Sequence, residues 1–113
     1  MDVPVQAALL RIYTEEGKRD GTQPLYESVV LKARDAGLAG ATVLRGPMGF
    51  GDSAHIHNAN ILDLAANLPI VIEIVEAEDK LRAFANSLAR TMPYLRLVTL
   101  EQVEVLHGRY RPD

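Results

Sequence analysis

A chain of 113 residues, 48% hydrophobic and 24% charged, suits one packed domain and no more. Its 12 Lys and Arg against 15 Asp and Glu leave a formal charge of −3, so it lacks the basic field that gathers nucleic-acid polymers or anionic lipid. The absence of cysteine excludes disulfides, thiolate metal sites and thiol catalysis, and suits a reducing, cytoplasmic location.

The Met1–Pro4 start has no basic segment followed by a long apolar run. No apolar run elsewhere approaches the roughly 20 residues that span a bilayer, which predicts a soluble intracellular protein without membrane insertion. Residues 1–113 read as a single domain, with a core over 5–107 and a polar tail over 108–113. Val5 to Tyr13 is apolar on both alternating sets, Val5, Ala7 and Leu9 against Ala8, Leu10 and Ile12, which predicts a strand covered on both faces. The charged run from Thr14 to Gly21 reads as a solvated loop. Thr22 or Gln23, with Pro24 just inside, starts a helix in which Leu25, Val29, Ala33 and Ala36 share one face, and Gly37 stops it.

A second strand over about Ala41 to Leu44 empties into a glycine-rich loop from Gly46 to Asn60. The short run Ile61-Leu62-Asp63-Leu64 fits an extended segment or a helical turn equally. Pro69 opens the β-branched run Ile70 to Val75, a central strand. Glu78 and Asp79 sit where the helix macrodipole favours acids, and Leu81, Phe84, Ala85, Leu88 and Met92 form the apolar stripe of a helix ended by Pro93. The last strand, Leu97 to Leu106, is broken by Glu101, Gln102 and Glu104, the mark of an edge or a bulge.

The order is βαββαβ, and two right-handed crossovers then give a ferredoxin-like α+β sandwich: an antiparallel sheet with two helices on one face. Two helices cover only one side. Opposite Ile70, Ile72 and Ile74 stand Val71 and Val75, so the second sheet face is apolar as well, and its burial predicts a closed, cyclic homo-oligomer.

Chemistry concentrates in the loop. Arg45 followed by Gly46 offers a guanidinium and an approachable backbone, suited to a phosphate or carboxylate; the alternative is that Arg45 pairs with an acid on a neighbouring subunit. Gly46, Gly49 and Gly51 shape the same loop around Phe50. His55-x-His57 puts two imidazoles on one side of an extended segment, a start for Zn²⁺ or Cu²⁺ with Asp52 or Asp63 as third ligand, or a pH-sensitive element. Loop histidines satisfied by solvent are the plainer reading. Ser28, Ser53 and Ser87 lack a nucleophile-elbow context, Glu15 and Glu16 are only sequence neighbours, and neither a Walker loop nor a dinucleotide fingerprint is present. The expectation is a protein that is not an enzyme and requires no cofactor.

Leu10–Tyr13, Pro24–Glu27, Ala36–Gly46, Gly49-Phe50-Gly51 and Leu68–Val75 together resemble a bacterial PII-like family, number one hundred and ninety of the domains of unknown function, similar to PII signalling proteins and CutA-type trimers. The resemblance implies a trimer whose sheets face the central axis, with clefts between neighbours and the 46–60 loop as the partner-contacting element. PII proteins cradle phosphates with a glycine-rich turn before the last strand; Thr91 to Arg96 contains no glycine, so the resemblance carries the cleft without that cradle. The resulting expectation is a PII-like regulatory or signalling protein that binds a small anionic effector through Arg45, Gly46, Gly49, Phe50 and Gly51 in an intersubunit cleft and acts through the 46–60 loop. Two alternatives are a CutA-like divalent metal-binding trimer using His55 and His57, and a ligand-independent adaptor whose loop docks on a transporter or enzyme.

Overall fold

The computed structural model describes residues 6–51, 56–58, 67–93 and 95–108. Six elements carry the fold: β1 (Gln6–Glu15), α1 (Leu25–Asp35), β2 (Thr42–Arg45), β3 (Pro69–Glu76), α2 (Glu78–Thr91) and β4 (Leu97–Glu104). The sheet is antiparallel throughout, in the order β2-β3-β1-β4, as the ferredoxin-like sandwich requires. Its register places Leu10 opposite Ile74 and Ile12 opposite Ile72. These side chains point to one face, where Leu25, Val29 and Ala33 of α1 and Leu81, Phe84 and Leu88 of α2 close over them as a single core. The long alternating strands bury one set of residues because a period of two sends every second side chain to the helices.

The ends of the elements follow local chemistry. Pro24 occupies the N-cap of α1 with ψ 137°, one position before the first helical turn, and Ser28 Oγ donates to Gln23 Oε1 at 2.8 Å beside it. At the other end Ala36 is the C-cap and Gly37 takes φ +75°. The Gly37 N–H donates to Arg34 O at 3.0 Å and the Leu38 N–H to Ala33 O at 3.2 Å, which is a Schellman motif. Glu78 opens α2, and its carboxyl is held below the usual range, first by the hydrogen bond from Arg82 and then by that from Gln102 of β4. Glu76 is buried, yet its carboxylate accepts the Ala39 N–H at 3.0 Å and the Ala77 N–H at 2.8 Å, fastening the segment after α1 to the start of α2. No buried side-chain polar atom lacks a partner among the described residues.

Three sequence expectations shift. β1 runs on to Glu15 rather than stopping at Tyr13, because its ladder with β3 continues to the pair Glu15 and Pro69. β4 ends at Glu104, where its ladder with β1 reaches Gln6, and the one-to-one register leaves it an edge strand without a bulge. The second sheet face is not hydrocarbon throughout. Leu9, Tyr13, Val71, Val75, Leu44 and Leu97 lie on it, but a polar row crosses its middle: Arg11 Nε donates to Glu73 Oε2 at 3.0 Å and Arg11 Nη1 to Glu101 Oε1 at 2.5 Å, with Thr42 and Thr99 alongside in register. Those two hydrogen bonds, that to Glu73 first, raise Arg11 above its ordinary value. Leu44 and Leu97 remain 47% and 42% exposed, so this face is open in a single copy. The Ile61–Leu64 run lies outside the described residues.

Gly37 has open space around it but a backbone conformation that side chains disfavour. Gly37→Ala is therefore expected to lower unfolding stability by about 1 kcal/mol. Gly40→Ala, where an added Cβ meets nothing within 4 Å and φ is not positive, should stay within about 0.5 kcal/mol; urea denaturation midpoints compare the two.

Candidate functional site

Strand register brings three chain ends to one place. The ladder of β1 with β3 ends at Glu15 and Pro69, and that of β2 with β3 ends at Arg45 and Ile70. Glu15-Glu16 leaving β1, Arg45-Gly46 leaving β2 and Leu68-Pro69 entering β3 therefore meet at the root of the loop. The main chain seals the junction: the Gly46 N–H donates to Pro69 O at 2.8 Å and the Glu16 N–H to Leu68 O at 3.0 Å. Beyond it Met48-Gly49 pairs with His57-Asn58, so the loop folds back on itself as a narrow ribbon.

Glycine is needed here for close approach. A Cβ on Gly46 or on Gly49 would sit 2.9 Å from Pro69 Cγ, inside normal contact distance, so both glycines lie flat against one proline ring. At Gly51 a Cβ would come to 3.1 Å from Glu15 Oε1 and 3.3 Å from Arg96 Nε, which places Arg96, at the entry to β4, beside the same loop.

The polar contacts at the root form two clasps. Glu16 Oε2 lies 2.7 Å from Arg45 Nη2, and Glu16 Oε1 accepts the Leu68 N–H at 3.2 Å. One carboxylate thus ties the residue before the loop to a residue after it. In the second clasp Asn67 Nδ2 donates to Glu15 Oε2 at 2.5 Å, while Asn67 Oδ1 accepts the Gly17 N–H at 2.6 Å. The Arg45 side chain is 59% exposed and that of Glu16 only 22%, so the cation faces solvent over a sheltered anion.

The sequence candidates Arg45, Gly46, Gly49 and Gly51 are brought together at this junction, and Phe50 stands at its rim, 68% exposed. Within the chain, Arg45 pairs with Glu16. The charged run after the first strand is not wholly a solvated loop: Glu15 belongs to β1, and Glu16 is sheltered, because β1 is two residues longer than its apolar pattern suggests. In sequence Glu15 and Glu16 belong to a charged run that could face a cleft but reads better as a solvated loop, and the fold adds them to the site together with Asn67, Pro69 and Arg96. The acid pair at the end of the apolar first strand signals only Glu15 and Glu16; Asn67, Pro69 and Arg96 have no local signal.

Tyr13, Glu15, Phe50, Pro69 and Arg96 border a cavity of about 40 Å³, far below the roughly 300 Å³ at which small-molecule pockets begin. One copy alone cannot enclose a metabolite there. Asp52, His55 and Asp63 lie outside the described residues, and of His57 only the backbone pairing with Gly49 is described. No group of three or more His, Asp and Glu that suits a metal ion occurs among the described residues.

The model of the DUF190 family, described as an uncharacterized ACR, matches residues 7–105. The chain belongs to this family. A UPF0166 protein of Aquifex aeolicus (strain VF5) is 35% identical over 103 residues, covering 91% of this chain and 96% of that protein. The UPF0166 protein MJ1524 of Methanocaldococcus jannaschii is 27% identical over 104 residues, covering 92% and 95%. Among solved structures the fold is similar to CPII, a nitrogen regulatory PII-like protein from Thiomonas intermedia K12 bound to ADP, AMP and bicarbonate, with TM-score 0.66 at 16% identity over 92% of this chain and 90% of that one. It is also similar to the divalent ion tolerance protein CutA1 of Ehrlichia chaffeensis, with TM-score 0.52 at 15% identity over 91% and 84%. At these identities the structures show a shared fold. The DUF190 chain therefore has the PII-like form of the ferredoxin-like sandwich.

The contact with Pro69 makes a direct test of the loop root. Gly49→Ala is expected to cost about 1–3 kcal/mol of stability by overpacking against the proline ring. In a Pro69→Ala background the same substitution should cost at least 1 kcal/mol less, an interaction that a double-mutant cycle of unfolding free energies reads out.

Proposed function

We propose that this DUF190 chain is a non-catalytic, cytoplasmic PII-like regulatory or signalling protein, which assembles as a homotrimer and binds a small anionic effector at the root of the 46–60 loop. The observation that carries this reading is the convergence of three chain ends on Arg45. A ligand held by that guanidinium sits where the strands on either side of the loop meet, so its occupancy can select one loop arrangement, provided it favours that arrangement over the others. Arg45 and Gly46 are the anion-facing pair; Gly49 and Gly51 let the backbone approach; Phe50 supplies an apolar rim.

Two further observations support assembly. The open sheet face leaves Leu44 and Leu97 half uncovered, and burying apolar area is worth roughly 25 cal/mol per Å². The cavity beside Phe50 is too small by itself, so a neighbouring copy laid against the loop root would supply the missing wall of a cleft. No helix among the described residues is long and apolar enough to cross a membrane. Ligands named for CPII support the anionic class of effector. The loop is also the surface by which a protein partner would read the bound state.

The metal-binding reading rests on His55 and His57 alone and ranks behind. Replacing both histidines should leave anion binding unchanged under the proposed function and remove Zn²⁺ uptake under the metal reading.

Sedimentation at micromolar concentration is expected to show a trimer. Calorimetry of that species against nucleotides, inorganic phosphate and small carboxylates should show saturable binding of at least one class, and Arg45→Gln should weaken it about tenfold or more, the usual loss for a charge-assisted hydrogen bond. A stable monomer, or no heat with any of the three classes, rejects the reading.

A further inference from the structure

The loop root is already balanced in charge. Arg45 is neutralised by Glu16, whose two carboxylate oxygens are both engaged, one by the guanidinium at 2.7 Å and the other by the Leu68 N–H at 3.2 Å. An anion arriving from solvent finds no vacant cation at Arg45. It must either crowd a third partner onto that guanidinium beside an acid or take the place of the acid.

We infer that Arg45 and the Leu68 N–H form a two-donor carboxylate receptor, that the chain's own Glu16 side chain occupies it, and that an external carboxylate effector binds by exchange with Glu16. This rests on the proposed anion binding at Arg45 and names its ligand class and its gate.

Three features favour exchange. The guanidinium is mostly exposed, so an incoming ligand reaches it from solvent without opening the core. The Glu16 main chain is held independently, by its own N–H on Leu68 O at 3.0 Å, so the side chain can leave while the strand ends stay joined. The pair is open to solvent on its arginine side, and solvent access weakens an ion pair towards the zero to about 1 kcal/mol typical of exposed ones.

The class of ligand follows from shape and charge. Two donors are spanned by the two oxygens of one planar carboxylate, and a single negative charge balances the single guanidinium. A monoanionic carboxylate reproduces both properties. A phosphate dianion would bring one negative charge more than the Glu16 carboxylate it replaces. Exchange also has a structural consequence: it releases Arg45 from the turn after β1, while Leu68 stays joined to that turn through the Glu16 N–H.

The test compares the intact wild-type chain with Glu16→Gln, titrated with acetate and with inorganic phosphate while amide and guanidinium shifts are followed by NMR. The neutral side chain competes less well for Arg45, so Glu16→Gln is expected to bind acetate about five- to tenfold more tightly than wild type, with shifts at the Leu68 amide and the Arg45 Nε–H. Phosphate should gain less, and Arg45→Gln should remove the acetate response in both backgrounds. Acetate affinity unchanged or weakened in Glu16→Gln, with wild type still binding anions at Arg45, overturns the exchange and leaves the proposed function standing. An equal gain for phosphate overturns the carboxylate class. If neither protein binds any anion, the parent reading falls and this one with it. Should Glu16→Gln fail to fold, Glu16→Asp, too short to reach both donors together, gives the same comparison with an expected intermediate gain.

Discussion

The antiparallel ladder between β1 and β3 is the constraint on which the rest of the molecule depends. It runs without interruption from Ala8 opposite Glu76 to Glu15 opposite Pro69. One end of it builds the core, since Leu10, Ile12, Ile72 and Ile74 become a single buried block beneath both helices. The other end builds the loop root, since the same register delivers Glu15 and Glu16 to Leu68 and Pro69. A slip of one residue would turn the buried set to the open face and separate the acids from the loop in the same movement. Stability and the candidate site are thus set by one alignment, which gives the site a rigid base and leaves any adjustment to the loop beyond Gly46.

What the sequence reveals about the fold is mostly what local chemistry dictates. Gly37 ends α1 because its position needs a left-handed backbone; Glu78 opens α2 because the macrodipole favours an acid there; Pro93 follows α2 because it cannot continue a helix. The strand order follows from the succession of elements and the handedness of crossovers. Each of these signals lies within a few residues of the feature it produces. The extent of β1 was less legible, because Thr14 and Glu15 are polar and their place in the strand is decided by a partner half the chain away.

The site divides along the same line. Arg45, Gly46, Gly49 and Gly51 are visible as a local density of glycine beside a cation. Their reason for being glycine is not, since it lies in the Pro69 ring, and no pattern around residue 46 points to residue 69. Glu16 is the clearest case. In sequence it is one acid in a charged run, and only the register shows that its carboxylate bridges the two ends of the loop. Residues whose role depends on distant pairing carry no local signature, whereas residues chosen for backbone shape do.

The polar row on the open face has a bearing on assembly. Arg11 answers two carboxylates, Glu73 and Glu101, so in each copy this row carries one more negative charge than positive. A trimer that turned this face to its axis would bring three such charges together within a low-dielectric centre, where their mutual repulsion opposes the hydrocarbon contacts around them. Mobile counter-ions screen charges in solvent within about 8 Å at physiological ionic strength, but they scarcely reach charges enclosed in such a centre. Dissolved salt would then act unequally on the two regions, leaving the repulsion at the axis nearly unchanged while loosening the grip of the exposed Arg45 on any anion.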